Sequence, residues 1–260
     1  MIRLSLSGRA TGSALAAFLA MTPIGATRAA EVKVIAAGAV RGVLGGMVDD
    51  YARQTGHKFT FTIGSTGRLR EIIASGEAAD LVIAASGLMD DLEKTGRMTP
   101  GSRVDLGRIG VGTVVREGFT SANVATVEGL RQALVDAKTI AYTDPKLGGA
   151  TYAHLMMIAE RFGLADMVRA KGVFATGGDD AAAKVAAGQA DFAMAFISEI
   201  QASGAKLAAP LPDSIQLWAA YSAAIPANSK EAGLARDFAT ALTSPALRER
   251  WSAAGWQAAK

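Results

Sequence analysis

The hydrophobic positions near the start of the chain alternate between two patterns, one typical of strands and one of helices. Residues 32–37 and 79–85 are nearly continuous apolar runs, and residues 59–63 alternate aromatic or branched side chains with threonine. Such runs are typical of strands, and the unbroken ones of strands covered on both faces. Between them, apolar residues recur at helical spacing. This part of the chain therefore predicts the order β-α-β-α-β of an open, doubly wound sheet.

The same pattern begins again after a long extended stretch at residues 104–116. A capped helix follows, and the further predicted elements are a strand at 139–142, a helix at 150–162, a strand at 173–174, a helix at 180–187 and a strand at 191–196. A second extended stretch at residues 215–225 leads into a last helical region, residues 230–256.

This repetition predicts an α/β fold class with two doubly wound lobes joined by two extended crossing strands. Lobe I is expected to contain residues 31–108 and 222–260, and lobe II residues 109–221. The turns from strand to helix in both lobes should face a cleft between them, because open α/β sheets bind ligands at the carboxyl ends of their strands.

Residues 1–30 have the features of a cleaved signal peptide. Arg3 and Arg9 precede a short apolar run at residues 13–21, and small residues stand just before a cleavage position near Ala30. We therefore expect a periplasmic protein. Without this segment the numbers of basic and acidic residues are equal, so the charge gives no indication of nucleic-acid binding. The chain has no cysteine and two histidines, so neither a metal site nor a cofactor is expected; a monomer is expected.

Four glycine-bearing helix starts are predicted to meet at the cleft. They are residues 38–41, 64–68, 148–151 and 177–178. The first N–H groups of a helix lack intrahelical partners, and the helix dipole is positive there, so such starts suit a small anionic ligand. For Ser65 and Thr66 an ordinary helix-capping role is the alternative.

Several of these segments resemble the type II periplasmic solute-binding proteins, and specifically their molybdate-binding-like group. The similarity extends over almost the whole chain after residue 30 and is carried by GSTGRLREIIASGEAADLVIAA, TDPKLGGATYA and GQADFAMAFISE. The resemblance implies a receptor that delivers its ligand to an ABC-type membrane transporter. Together with the turns, it predicts ligand contacts at Gly38, Ala39, Arg41, Ser65, Thr66, Arg68, Gly149, Ala150, Thr151, Gly178 and Phe196.

Two departures from the resemblance alter the expected ligand. Ala39 occupies the position of an oxyanion-binding serine, and Phe196 that of a tyrosine, whereas Arg41 and Arg68 stand beside the first two turns. Because arginine binds carboxylates through two parallel hydrogen bonds, we expect a di- or tricarboxylate. Position on a solvated helix face is the alternative for both arginines.

An enzymatic alternative has the same layout. The aconitate isomerase branch of this group shifts a double bond in a tricarboxylate, which requires a general base in the cleft. His154 is the first candidate, with Tyr152, Asp144 and Lys146 nearby; a packed helix residue is the alternative for His154. The effector domain of a cytosolic regulator shares the architecture, but the signal peptide and the lack of a helix-turn-helix argue against it.

Overall fold

The computed structural model describes residues 29–119 and 123–258 of the chain. The predicted signal peptide, residues 1–30, lies outside the described residues except for its last two positions. Within the described ranges, no helix has the length and apolar character needed to cross a membrane.

The first part of the chain alternates strands and helices as the pattern predicts. Its elements are β1 (Glu31–Ala37), α1 (Arg41–Thr55), β2 (Lys58–Gly64), α2 (Thr66–Ala74), β3 (Leu81–Ala85), α3 (Ser86–Lys94) and the long strand β4 (Val104–Val115). A short 3-10 helix, Gly38–Val40, joins β1 to α1.

The middle of the chain repeats the alternation. Its elements are α4 (Val127–Asp136), β5 (Ile140–Thr143), α5 (Ala150–Arg161), α6 (Ala165–Ala170), β6 (Gly172–Ala175), α7 (Gly178–Ala186), β7 (Phe192–Phe196) and α8 (Ile197–Ala202). The last part contains β8 (Ala209–Pro210), β9 (Trp218–Ala224), α9 (Ala232–Leu242), α10 (Pro245–Ala253) and β10 (Trp256–Gln257).

The strands lie in the order β2-β1-β3-β9-β4-β7-β5-β6, with β8 and β10 also paired to β4. Strand β1 is parallel to β2 and β3, and β5 is parallel to β6 and β7. Residues 104–110 of β4 pair with β9, and residues 111–115 pair with β7. The two predicted crossing strands are thus β4 and β9, which lie side by side between the two parallel groups. The predicted α/β fold class is confirmed.

The apolar runs correspond to the buried centre of each parallel group. Four of the five residues of β3 and all five of β7 are buried, whereas β2, at one end of the strand order, is largely half-buried. Continuous apolar sequence suits a strand whose two faces are both covered by helices. The central strands thereby hold their carboxyl ends, and the turns that follow them, in fixed positions.

The last helical region differs from the prediction of residues 230–256. It is divided into α9 and α10, and it ends before β10, which pairs with β4. Pro245 is the first residue of α10, where its missing N–H costs nothing, and it cannot continue the preceding helix. Gly255 has a φ of 80°, a left-handed conformation that ends α10 and turns the chain into β10.

Candidate functional site

A cleft of about 150 Å³ lies at the carboxyl ends of strands from both parallel groups. Residues at the ends of β1, β2, β5 and β7 line it, together with Tyr221 from the crossing strand β9. The carboxyl edges of the two parallel groups therefore face each other across this cleft, as expected for a ligand site in open α/β sheets.

Four helices begin at the cleft. The 3-10 helix before α1 begins at Gly38, α2 at Thr66, α5 at Ala150 and α7 at Gly178, and each of these residues lines the cleft. The first N–H groups of a helix have no intrahelical partners and lie at the positive end of its dipole. This arrangement can bind an anion through backbone donors alone.

Most of the residues predicted as ligand contacts lie together on this cleft. Those lining it are Gly38, Ala39, Arg41, Ser65, Thr66, Gly149, Ala150, Thr151, Gly178 and Phe196. The local pattern of glycines and hydroxyls thus predicted the position of the cleft. Arg68 and His154, which were predicted from their positions on helices, do not line it.

Ser65 connects the two sides of the cleft. Its hydroxyl oxygen caps α2 by accepting a hydrogen bond from Arg68 N at 3.3 Å, and the hydroxyl donates to the Leu147 carbonyl at 2.6 Å. Gly67 permits this approach, since an added Cβ would lie 2.5 Å from the Leu147 oxygen. Because the Ser65 proton is already donated to the Leu147 carbonyl, Thr66, which also lines the cleft, is the better candidate for a hydroxyl that donates to a ligand.

The two predicted arginines have different environments. Arg41 lines the cleft, and its Nη1 lies 2.8 Å from Asp179 Oδ2 at the start of α7. Arg68 instead pairs with Glu71 at 3.1 Å, and its side chain is 56% exposed. Residues three apart lie on the same helix face, so the Arg68–Glu71 pair runs along the outer surface of α2. Arg68 therefore lies on a solvated helix face, which was the alternative to ligand contact for this residue.

His154 is a buried helix residue. Its Nε2 donates a hydrogen bond to the Ile215 carbonyl at 2.7 Å, in the segment that precedes β9. The nearby candidates are also outside the cleft lining. The Tyr152 ring packs 5.1 Å from that of Tyr142, and Asp144 accepts a hydrogen bond from Lys146 N at 2.9 Å.

A buried carboxyl that the sequence interpretation missed lies in the cleft. Glu199, in the first turn of α8, is 8% exposed, and its Oε2 accepts a hydrogen bond from Phe196 N at 3.1 Å. Burial, opposed by the Phe196 hydrogen bond and by Arg41 and assisted by the charge of Asp179, raises the pKa of Glu199 to about 7. In the sequence, Glu199 stands three residues after Phe196, at the position that a glutamate occupies in a capping box. A capping box normally begins with Ser or Thr, and Phe196 at that position hides the pattern.

Tyr221 is a second residue that was missed. It is buried on β9, lines the cleft, and its ring lies 6.1 Å from that of Phe196. Burial, and after it the charge of Glu199, raises the pKa of Tyr221 well above the ordinary tyrosine value, so it is a neutral phenol. Gly64 and Gly177, which belong to two of the predicted helix starts, also line the cleft, and the further lining residues not predicted are Ala37, Ile63, Thr143, Thr176 and Asp179.

The chain is similar to several known bacterial proteins. An aconitate isomerase from Pseudomonas sp. is 26% identical over 228 residues, covering 85% of this chain and 86% of the relative. The periplasmic molybdate-binding protein of Azotobacter vinelandii superposes with a TM-score of 0.73 at 22% identity, covering 88% of this chain and all of that one. The sulfate-binding protein of Mycobacterium tuberculosis has a TM-score of 0.69 at 14% identity, covering 89% of this chain and 88% of that one.

These structural likenesses show that the chain has the type II periplasmic binding fold. A family of bacterial proteins matches residues 32–257, which is nearly all of the described chain. By that match, the chain belongs to the family of bacterial extracellular solute-binding proteins.

Proposed function

We propose that the chain is a periplasmic receptor that binds a small organic anion, a di- or tricarboxylate, and delivers it to an ABC-type membrane transporter. The observation that carries the proposal is the meeting of four helix starts and Arg41 at one cleft of about 150 Å³. Helix starts supply backbone donors and positive potential, and a guanidinium adds a charged donor with a planar fork. A cleft of this size suits a small ligand.

The side chains of the cleft favour a carboxylate over a tetrahedral oxyanion. Ala39 offers no hydroxyl at the first turn, and Arg41 stands at the start of α1 beside it. The chain is similar to a molybdate-binding and a sulfate-binding protein, which supports an anionic ligand of some kind. The predicted lobes, residues 31–108 with 222–260 and residues 109–221, would close on the ligand by a hinge at β4 and β9.

A panel of ligands tests this proposal by thermal unfolding. We expect di- and tricarboxylates to raise the Tm, because a ligand that binds only the folded state at 100 times its Kd adds about 2.7 kcal/mol of stability. The matching methyl esters, which have the same carbon skeleton without charge, should leave the Tm unchanged. Stabilisation by molybdate or tungstate and by no carboxylate would show that the carboxylate assignment is wrong.

Aconitate isomerase is a second candidate, favoured by Glu199. The relative of that name is 26% identical, and the reaction requires one group to remove a proton and return it two atoms away. Glu199 lines the cleft, and its pKa of about 7 makes it a suitable base near neutral pH. His154, the base expected from the sequence, does not line the cleft, and its Nε2 donates to the Ile215 carbonyl.

Turnover of trans-aconitate, followed by proton NMR, tests this candidate. If the chain is an isomerase, cis-aconitate should accumulate, and Glu199→Gln should lower the rate by about 100-fold or more, the usual contribution of general acid–base catalysis. The rate of turnover should increase with pH through the pKa that Glu199 has in the substrate complex, because only the carboxylate removes a proton. His154→Gln should keep most of the activity. Wild-type protein that binds trans-aconitate and leaves it unchanged would exclude the enzyme.

A further inference from the structure

A buried carboxyl is an unexpected component of an anion-binding cleft. Glu199 Oε2 accepts the hydrogen bond from Phe196 N, and the hydrogen bonds of the described residues leave Oε1 without a partner. An added Cβ at Gly38 would lie 3.2 Å from Oε1, and one at Gly178 would collide with Oε2. The carboxyl therefore lies between two of the helix starts at which an anion would bind.

The titratable groups around Glu199 come from three other elements, and two of these groups are charged. Arg41 at the start of α1 and Asp179 at the start of α7 form an ion pair with each other, and Tyr221 of β9 is a neutral phenol. The effects of Arg41 and Asp179 on the pKa of Glu199 have opposite signs, and burial is the largest influence. The charge of Arg41, which favours the ionised form, is therefore opposed by that of Asp179, and burial favours the neutral form of Glu199.

We propose, on the basis of the anion-binding function above, that Glu199 takes up a proton when the anion binds and donates a hydrogen bond from its carboxyl group to an oxygen of the anion. An ionised Glu199 at this buried position would repel a bound carboxylate, whereas the protonated form is neutral and becomes a donor. The proton comes from solvent on binding and returns to solvent on release. Glu199 is thus both a specificity-determining and a pH-sensing residue.

The proposal determines how affinity changes with pH. Free Glu199 has a pKa of about 7, and the bound anion raises that pKa further because it destabilises the carboxylate. Below about pH 7 Glu199 is protonated in both states, so the affinity is at its highest and nearly constant. Above that pH, binding requires a proton, so the affinity decreases by up to about tenfold per pH unit until the bound-state pKa is reached.

Isothermal titration calorimetry with trans-aconitate as the probe tests this linkage, since its carboxyl groups are ionised above about pH 6. Between about pH 7 and pH 8.5 we expect the affinity to decrease about tenfold, with close to one proton taken up near pH 8. Proton uptake is measured by comparing buffers of different ionisation enthalpy. Glu199→Gln, which keeps the size and the donor, should remove both the pH dependence and the proton uptake.

Glu71→Gln is the matched control. Glu71 is an exposed glutamate paired with Arg68 outside the cleft, and its variant should keep the wild-type pH profile. Binding that does not vary with pH in the wild type, or pH dependence that persists in Glu199→Gln, would overturn the proposal. If Glu199→Gln does not fold, carbon NMR of the wild-type glutamate carboxyls replaces it, and a Glu199 pKa unchanged by trans-aconitate is the contradicting result.

The outcome also distinguishes this inference from the function on which it rests. If trans-aconitate does not bind, the same titrations are made with the carboxylate that gives the largest Tm increase in the ligand panel. Anion binding with a flat pH profile would retain the receptor and remove the role of Glu199. Failure of every anion to bind at any pH would overturn the proposed function, and the inference with it.

Discussion

Gly178→Ala should lower the affinity for the anion by about tenfold to 100-fold. An added Cβ at the start of α7 would collide with Glu199 Oε2 and lie 3.2 Å from the Ala195 side chain, both of which are buried. Relieving such a contact costs roughly 1–3 kcal/mol, and a displaced Glu199 carboxyl would occupy the space of the anion. The measurement is calorimetric titration of the variant with the carboxylate identified by the ligand panel.

Gly87→Ala is the control for this substitution. Gly87 is an exposed glycine of α3, and an added Cβ there would have no neighbour within 4 Å. We expect it to bind the anion as the wild type does. Circular dichroism and the Tm show whether Gly178→Ala is folded, because part of the cost will appear as lower stability. A folded Gly178→Ala variant with wild-type affinity would place the anion away from the start of α7.

Arg41→Ala should weaken binding of the anion by about tenfold. A lost hydrogen bond to a charged group costs roughly 1.5–3 kcal/mol, and the lower part of this range applies because the Arg41 side chain is 53% exposed. The folded protein should be almost unaffected, since an exposed ion pair such as Arg41–Asp179 contributes about 0–1 kcal/mol. Titration calorimetry measures the affinity and thermal unfolding the stability.

Arg68→Ala is the matched control for this loss of charge. It removes the same guanidinium from the start of the neighbouring helix, but from a side chain that pairs with Glu71 outside the cleft. We expect its affinity to stay within about twofold of wild type, because exposed charges more than ~8–10 Å apart are screened at physiological salt. Equal losses of affinity in both variants would show that Arg41 affects the anion only through the overall electrostatic potential of the protein.

The elements themselves were predictable because their signals are local. Runs such as those of β3 and β7, and helices that begin after a glycine-bearing turn, depend on residues within about one turn of each other. The division between α9 and α10 also has a local signal, since Pro245 stands within the predicted helical region and cannot continue a preceding helix.

The sequence by itself determined the alternation of strands and helices, the two crossing strands and the glycine-bearing helix starts that line the cleft. The tertiary structure decided which titratable side chains face that cleft: Arg41 and Glu199 face it, whereas Arg68 and His154 do not. Whether a helix residue points inward depends on the rotation of the helix against its sheet, which distant contacts establish, as in the bond from His154 to Ile215. Glu199 and Tyr221 meet Arg41 only because β7 and β9 bring residues more than 150 positions apart in the chain to one edge of the fold.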